Sequence, residues 1–259
     1  MPTALITGAS AGIGRSYAEQ LAARGHDLVL TARRADRLQA IGDDLAARHG
    51  FAAEIIAADL GTEDGAGTLE RRIRDGAAID LVVNNAAFPT KGLVAELDFA
   101  ALEAMLRVNV VALARLSHAA MHRMTRAGRG AIINVASGTA FRQMLGNAGY
   151  GSSKSFVAAF TRHMQAEAQG SGVYVQLLIP GLIATGFHEL VGGSVAQFPP
   201  ERVMQPDDLV AASLRAAASL EPVCIPSLPD MKDWDAYVAA ETKLTENTSR
   251  DRVAARYLN

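Results

Sequence analysis

One side chain of this sequence could exchange a proton with a carbonyl oxygen, and two others could assist it. Tyr150 and Lys154 are four residues apart in a stretch of helical composition, so they would share one face of a helix. An ammonium beside a phenol favours the phenolate and lowers a pKa that starts near ~10, which predicts that Tyr150 is an acid or base closer to neutral pH. Ser137 follows an apolar run, so its hydroxyl would stand at the carboxyl end of a strand and could hold a carbonyl oxygen.

A glycine-rich turn near the start of the chain predicts a phosphate site. The first apolar run leads into Gly8, Gly12 and Gly14, and a helical stretch follows. Such a turn lets the backbone approach a diphosphate closely and directs free helix N–H groups at it. We therefore interpret the turn, with Ser10 and Ile13, as a dinucleotide-binding site. The alternative is a turn whose glycines serve only tight helix packing.

Arginines follow the second predicted strand and indicate which dinucleotide is bound. An acidic residue usually ends this strand and holds the ribose 2′-hydroxyl, but here Ala32 takes that place and Arg33 and Arg34 come next. Guanidinium groups can pair with a 2′-phosphate. The pattern favours NADP(H) over NAD(H), unless the two arginines merely open a solvated helix.

Short apolar runs alternate with longer helical stretches along the chain. This order predicts an α/β fold, a single doubly wound parallel sheet with helices on both faces. The strands are predicted at Ala4–Thr7, Asp27–Ala32, Ala53–Ala58, Asp80–Val83, Ala131–Val135, Tyr174–Ile179 and Pro222–Ile225. The helices are predicted at Gly12–Arg24, Asp36–Arg48, Glu63–Arg74, Phe99–Arg126 and Tyr150–Gln169, with another opening at Pro206.

The remaining segments are less regular. Residues 180–205 are rich in glycine and lack periodicity, which is typical of a functional loop such as a lid. No repeat or linker marks a boundary, so we predict one domain over residues 1–259 with 227–259 as a C-terminal extension. Apolar residues of this extension recur at helical spacing and predict a buried face, either within the subunit or against a partner or the substrate mouth; they are Met231, Trp234, Tyr237 and Val238.

Composition excludes several kinds of partner. The 259 residues include 25 Lys+Arg and 27 Asp+Glu, a formal charge of -2, so no basic excess indicates nucleic-acid binding. The single cysteine, Cys224, cannot form an internal disulfide, and no apolar run is long enough to span a membrane. No targeting signal is recognised at the N-terminus, so we expect a cytoplasmic protein.

Two further patterns concern the site. His118 and His122 share a helix face, but Ala119 stands where a zinc protease needs glutamate, so we predict no metal site. Polar His188 and Arg142 either meet the substrate or are simply solvated. Apolar residues around these segments suggest a largely apolar pocket, namely Phe141, Met144, Leu145, Leu182, Phe187, Leu190 and Phe198.

Taken in order along the chain, the motifs resemble those of the short-chain dehydrogenase/reductase family. They are the glycine turn, Asn84-Asn85-Ala86, Asn109, Ser137, Tyr150-x3-Lys154 and Pro180-Gly181. The resemblance covers about residues 3 to 226 and implies a Rossmann sheet that binds a nicotinamide cofactor. The family's usual Asn-Asn-Ala-Gly ends here in Ala87, and the long C-terminal extension departs from the family's acyl-carrier reductases.

The resemblance also implies roles for individual residues. Tyr150 would be the general acid and base, Ser137 would hold the substrate oxygen, and Asn109 would support a water in proton relay. Lys154 would bind the nicotinamide ribose and lower the Tyr150 pKa. Further cofactor contacts are implied for Asp59, Leu60, Asn85, Ala86, Tyr150, Pro180, Gly181, Ile183 and Thr185. Homodimers or homotetramers are expected, since they are common in the family.

The sequence thus predicts an NADP(H)-dependent oxidoreductase that transfers hydride between nicotinamide and a carbonyl or secondary alcohol of a small, apolar molecule. Two alternatives remain open. One is a regulatory module, such as a redox sensor, that binds the dinucleotide without turnover. The other is an isomerase or dehydratase that retains its cofactor without net consumption.

Overall fold

The structure, a computed structural model, describes residues 1–51 and 53–258. It divides into two compact units, Met1–Pro226 and Ser227–Asn259, and the second coincides with the extension from residue 227. Asn259, the last residue of that extension, lies outside the described part. That the whole chain is a single domain stays a prediction.

A seven-stranded sheet forms the centre of the first unit. Its strands, in chain order, are β1 (Thr3–Thr7), β2 (Asp27–Ala32), β3 (Ala53–Ala57), β4 (Leu81–Asn84), β5 (Gly130–Val135) and β6 (Val173–Leu178), followed at one edge by a short strand, Val223–Cys224. The spatial order is β3-β2-β1-β4-β5-β6 and then the edge strand, and every pairing is parallel. The predicted doubly wound parallel sheet is confirmed.

Helices cover both faces of this sheet. They are α1 (Gly12–Ala22), α2 (Ala35–His49), α3 (Glu63–Asp75), α4 (Phe99–Leu106), α5 (Leu113–Ala127), α6 (Ala148–Glu167) and α7 (Pro206–Ala218). Successive residues of β1 point to opposite faces, and they enter different hydrophobic clusters: Ala4 and Ile6 pack with α1, α2 and α7, whereas Leu5 packs with α3 and α5. Apolar side chains on both faces explain why the strands read as continuous apolar runs.

One predicted helix is interrupted. The sequence predicts an unbroken helix over Phe99–Arg126, but a π-helical segment, Arg107–Ala112, separates α4 from α5. A π turn inserts an extra residue without breaking helical hydrogen bonding, so apolar periodicity does not reveal it. Asn109 lies within this segment.

The irregular segment after β6 contains short elements. Two strands, β7 (Leu182–Ile183) and β8 (Val203–Met204), pair in parallel, and three short 3₁₀ turns lie between them. The edge strand of the main sheet, Val223–Cys224, is β9 and is shorter than predicted.

The second unit contains one α-helix, α8 (Lys232–Thr245), among its described residues. The rings of Trp234 and Tyr237 lie 5.5 Å apart on this helix, yet it has no buried residue. Met231, Trp234 and Val238 are partly buried and Tyr237 is exposed, so what covers the predicted face stays a prediction. Across the described residues, none of the helices combines the length and apolarity needed to cross a membrane.

Candidate active site

A cavity of about 650 Å³ lies at the carboxyl ends of the central strands. In doubly wound sheets ligands bind there, where β1 and β4 send their connections to opposite faces. The cavity brings together Ser137, Tyr150, Lys154 and these residues of the predicted cofactor site: Gly8, Ser10, Gly12, Ile13, Arg33, Arg34, Asp59, Leu60, Asn85, Ala86, Pro180, Gly181, Ile183 and Thr185. Gly14 and Asn109 do not line this cavity.

Tyr150 and Ser137 are neighbours in the wall of the cavity. Tyr150 lies in the first turn of α6, and its hydroxyl is hydrogen-bonded to the Ser137 side chain. Ser137 Oγ also accepts hydrogen bonds from Thr139 N at 3.2 Å and Thr139 Oγ1 at 3.1 Å. Since both Thr139 groups donate, the Ser137 hydrogen is left to be donated to the Tyr150 oxygen or to a ligand oxygen.

Lys154 is buried beneath the tyrosine. Only 3% of the side chain is exposed, and its Nζ donates to the carbonyl oxygen of Val135 at 2.7 Å. The same Nζ lies 5.8 Å from the centroid of the Tyr150 ring. Burial lowers the pKa of Lys154 to about 7, because desolvation disfavours the ammonium.

The expected lowering of the Tyr150 pKa is wrong for this structure. Burial raises the pKa of Tyr150 above its usual range, and the hydrogen bond from Ser137 opposes that rise only in part. The Lys154 ammonium bonds to the backbone of β5 and is itself desolvated, so it does not offset the burial of the phenol. Without a bound cofactor, the Tyr150 phenol therefore stays neutral, and Lys154 favours its neutral form only above about pH 7.

Asn109 holds the neighbouring loop in place. Its side chain is fully buried, accepting from Phe88 N at 3.1 Å and donating to Phe88 O at 3.0 Å. Its Nδ2 also lies 3.2 Å from Ser153 Oγ, which donates to the carbonyl oxygen of Tyr150 at 2.7 Å. In this geometry Asn109 positions Phe88 and the start of α6, and its implied role with a relay water stays a prediction.

The glycine turn fits a bound diphosphate because its backbone is bare and closely packed. Gly8 and Gly12 have φ angles of +69° and +54°, which side chains disfavour. A Cβ at Gly14 would overlap the carbonyl oxygen of Gly8 and lie 2.7 Å from Asn85 Nδ2. Gly14 thus lets α1 pack against the turn, so that its first N–H groups meet the cavity.

This packing predicts a large effect of Gly14→Ala. We expect the free energy of unfolding to fall by about 1–3 kcal/mol, since the Gly8 backbone and Asn85 must shift, and NADPH affinity to fall at least tenfold. Gly67→Ala in α3 is the matched control, because its Cβ would meet only flexible arginine side chains and should be neutral or stabilising. Urea unfolding and NADPH fluorescence titration measure both quantities. Wild-type affinity in Gly14→Ala would contradict this assignment of the turn.

Three arginines line the cavity beyond the end of β2. Arg33, Arg34 and Arg37 are exposed, and Arg34 Nη2 donates to Ser10 Oγ of the glycine turn at 3.3 Å. Within the described ranges, neither Arg33 nor Arg37 forms an ion pair with a carboxylate. Asp59 lines the same cavity, but its Oδ1 accepts from Gly61 N at 2.9 Å within its own loop.

Sequence reasoning missed several residues of this site. Arg37 was not assigned, although it lies in the first turn of α2, three residues after the N-cap residue Arg34. Thr7 was also missed: its Oγ1 accepts from the backbone N–H groups of Asn85 and Ala86, both at 2.9 Å, and fixes the loop after β4. Phe88, whose backbone is bonded to the Asn109 side chain, also lines the cavity, and no sequence pattern indicates this.

The apolar pocket is smaller than predicted. Of the seven apolar residues proposed for it, Phe187 and Leu190 line the cavity, whereas Leu145 is 93% exposed.

Cys224 is buried, and burial raises the pKa of its thiol to about 12. Among the residues that the structure describes, no group of three or more His, Cys, Asp or Glu side chains could hold a metal ion.

Comparison with known proteins identifies the family. A model of the short chain dehydrogenase family matches residues 2–192, which include the glycine turn, Ser137, Tyr150 and Lys154. The chain belongs to the short-chain dehydrogenase family. The resemblance found in the sequence is thus confirmed.

Two solved structures are similar to this short-chain dehydrogenase over nearly its whole length. One is a short-chain dehydrogenase from Sphingobium yanoikuyae in complex with NADPH, 37% identical with a TM-score of 0.94, covering 99% of this chain and 100% of that one. The other is a bulky-bulky ketone specific alcohol dehydrogenase from Comamonas testosteroni, 32% identical with a TM-score of 0.91, covering 100% of this chain and 99% of that one.

One relative is named as an inactive protein. The inactive hydroxysteroid dehydrogenase-like protein 1 of Homo sapiens is 30% identical over 184 residues, which is 70% of this chain and 56% of that protein. The match therefore spans little more than half the length of this relative. Family membership alone does not establish turnover, so the site of this short-chain dehydrogenase must be judged on its own residues.

Proposed function

We propose that this chain is an NADP(H)-dependent oxidoreductase that interconverts a carbonyl group and a secondary alcohol in a small, largely apolar molecule. The observation that carries the proposal is the arrangement of Ser137, Tyr150 and Lys154 in one cavity with the glycine turn. A module that only bound the dinucleotide would not need a phenol and a hydroxyl directed at the same point.

The chain's own residues would handle the proton and the substrate oxygen. In reduction, Tyr150 gives its hydroxyl proton to the carbonyl oxygen, and Ser137 donates a hydrogen bond to that same oxygen. The nicotinamide, when bound, supplies the hydride to the carbonyl carbon and takes it back in oxidation. A secondary alcohol results, and the Tyr150 phenolate is reprotonated from solvent.

Lys154 would bind the nicotinamide ribose. Its Nζ donates one hydrogen to the Val135 carbonyl, so two remain for ligand hydroxyls. A hydrogen-bonded ligand would also favour the ammonium form over the neutral amine, which would then stabilise a phenolate at Tyr150. Cofactor binding and Tyr150 ionisation are therefore coupled in this proposal.

The NADP(H) preference is supported by the arginines beside the turn. Arg33, Arg34 and Arg37 place positive charge where a 2′-phosphate would lie, and the nearby Asp59 carboxylate accepts a hydrogen bond from Gly61 N within its own loop. The NADPH complex of the Sphingobium yanoikuyae relative agrees with this preference.

Arg33→Ala is expected to weaken NADPH binding about tenfold while changing NADH binding less than twofold. A tenfold loss of affinity lies at the lower end of what a charge-assisted hydrogen bond contributes, because the Arg33 side chain is exposed and screened by solvent. Fluorescence titration of both cofactors measures it, with Arg48→Ala at the far end of α2 as the control. Equal losses for the two cofactors would mean that Arg33 is only a surface charge.

The proposal includes self-association as a homodimer or homotetramer and a cytoplasmic location. Light scattering after size-exclusion chromatography tests the first. Steady-state assays with ketones and NADPH test the activity itself. Tight NADPH binding without consumption would favour a redox sensor or a non-redox isomerase on the same scaffold.

A further inference from the structure

The ring of Phe187 packs against the ring of Tyr150. The two ring centroids lie 5.4 Å apart with an angle of 52° between the planes, and both side chains line the cavity. This distance is typical of an aromatic pair in direct contact. A substrate whose carbonyl oxygen reaches Tyr150 must therefore place one of its substituents beside Phe187.

Further aromatic rings continue from Phe187. His188 lies 6.2 Å from Phe187 in an edge-to-face arrangement, and Phe198 lies 5.8 Å from His188. All three side chains are partly buried. Phe187 and His188 thus line the cavity next to the Tyr150 phenol, and Phe198 packs against His188 from outside the cavity wall.

The backbone holds Phe187 in a defined position. Its N–H donates to Thr185 Oγ1 at 3.4 Å, and its carbonyl oxygen accepts from Leu190 N at 3.3 Å. Thr185 in turn packs at the glycine turn, where its Cγ2 would be 2.9 Å from a Cβ on Gly12. The Phe187 ring is therefore held in a defined position relative to both the glycine turn and Tyr150.

We propose that Phe187 determines substrate specificity by selecting carbonyl compounds with an aryl group attached to the carbonyl carbon. The aryl ring would pack on Phe187 in the same tilted manner as Tyr150 does, while the carbonyl oxygen contacts Tyr150 and Ser137. An aliphatic ring of equal size gains only burial, whereas an aromatic ring gains the additional attraction of an aromatic pair. This inference rests on the proposed function, since it names the substrate class of that same site.

The test compares acetophenone with cyclohexyl methyl ketone, which have similar size and differ in the aromatic ring. We expect Phe187→Leu to lower the ratio of their kcat/KM values about three- to tenfold. Comparing the ratio between variants removes the intrinsic reactivity of each ketone. Phe187→Tyr should preserve the ratio, because it keeps the aromatic ring. Phe99→Leu is the matched control, since Phe99 is 73% exposed at the start of α4 and lies outside the cavity wall.

A binding measurement separates this inference from the proposed activity. Ligand-observed NMR without cofactor compares 1-phenylethanol with 1-cyclohexylethanol on the same variants. An aryl preference that depends on Phe187 in binding, without turnover of either ketone, would sustain the specificity role and overturn the reductase. A ratio unchanged in Phe187→Leu, with no Phe187-dependent difference in binding, would overturn the inference even if ketone reduction is established.

Discussion

Tyr150→Phe is expected to lower kcat about 10²- to 10⁴-fold, the range that general acid–base catalysis contributes. The ring remains and keeps its contact with Phe187, but the proton donated to the carbonyl oxygen is gone. NADPH affinity should stay within about twofold, because the phenol hydroxyl is bonded to Ser137 and the glycine turn is untouched. Single-turnover kinetics and fluorescence titration measure the two quantities separately.

Tyr174→Phe is the matched control for that variant. Tyr174 is also partly buried, and burial raises the pKa of its hydroxyl to about 12, yet it bonds to Glu221 O and lies outside the cavity wall. It should lose two hydrogen bonds, one donated to Glu221 O and one accepted from Gln176 Nε2, and with them some stability, but keep wild-type turnover. Similar turnover in Tyr150→Phe and wild type would remove Tyr150 from the mechanism.

Lys154→Met is expected to abolish activity while stabilising the protein without cofactor. Burial lowers the pKa of Lys154 from its ordinary 10.5 to about 7, so the folded protein excludes a proton that the unfolded chain binds. Between these two values stability rises with pH, and it is lost as pH falls toward 7. Wild-type unfolding free energy should therefore rise by about 2 kcal/mol from pH 7 to pH 9 through this group alone.

The methionine variant lacks this titration. Its unfolding free energy should vary less between pH 7 and pH 9 than that of wild type, and at pH 7 it should be higher, although the Val135 carbonyl loses its 2.7 Å partner. Tyr150 does not interfere in this range, because its raised pKa keeps the phenol neutral. Urea unfolding at several pH values provides the measurement. Identical pH dependence in both proteins would mean that Lys154 stays charged in the folded state.

The strands were largely predictable from the sequence because their physical cause is local. Parallel strands covered on both faces need continuous apolar runs, and β1 to β6 begin and end within about one or two residues of those runs. The π turn that divides the long predicted helix could not be predicted, because the apolar spacing on either side of it stays helical. The candidate catalytic residues were found by spacing and position, because Tyr150 and Lys154 share one helix face and Ser137 follows a strand.

What could not be predicted depends on tertiary packing. Spacing alone places Lys154 near Tyr150, but the sign of the Tyr150 pKa shift depends on how far the phenol is removed from water. The contact of Phe187 with Tyr150 joins residues from α6 and from the irregular segment after β6, and no periodicity relates them. Arg37 was the exception, since its position three residues after Arg34 was visible in the sequence.

If this chain reduces carbonyl compounds with NADPH, as we propose, it must consume NADPH when a suitable substrate is present. The most direct measurement is the absorbance of NADPH during incubation with a panel of ketones, aldehydes, quinones and acyl thioesters, with Tyr150→Phe assayed alongside. We expect cofactor consumption with at least one apolar ketone, and we expect it to be faster with NADPH than with NADH. The Tyr150→Phe variant should lose this activity. Tight NADPH binding with no consumption across the panel, or equal consumption in the variant, would contradict it.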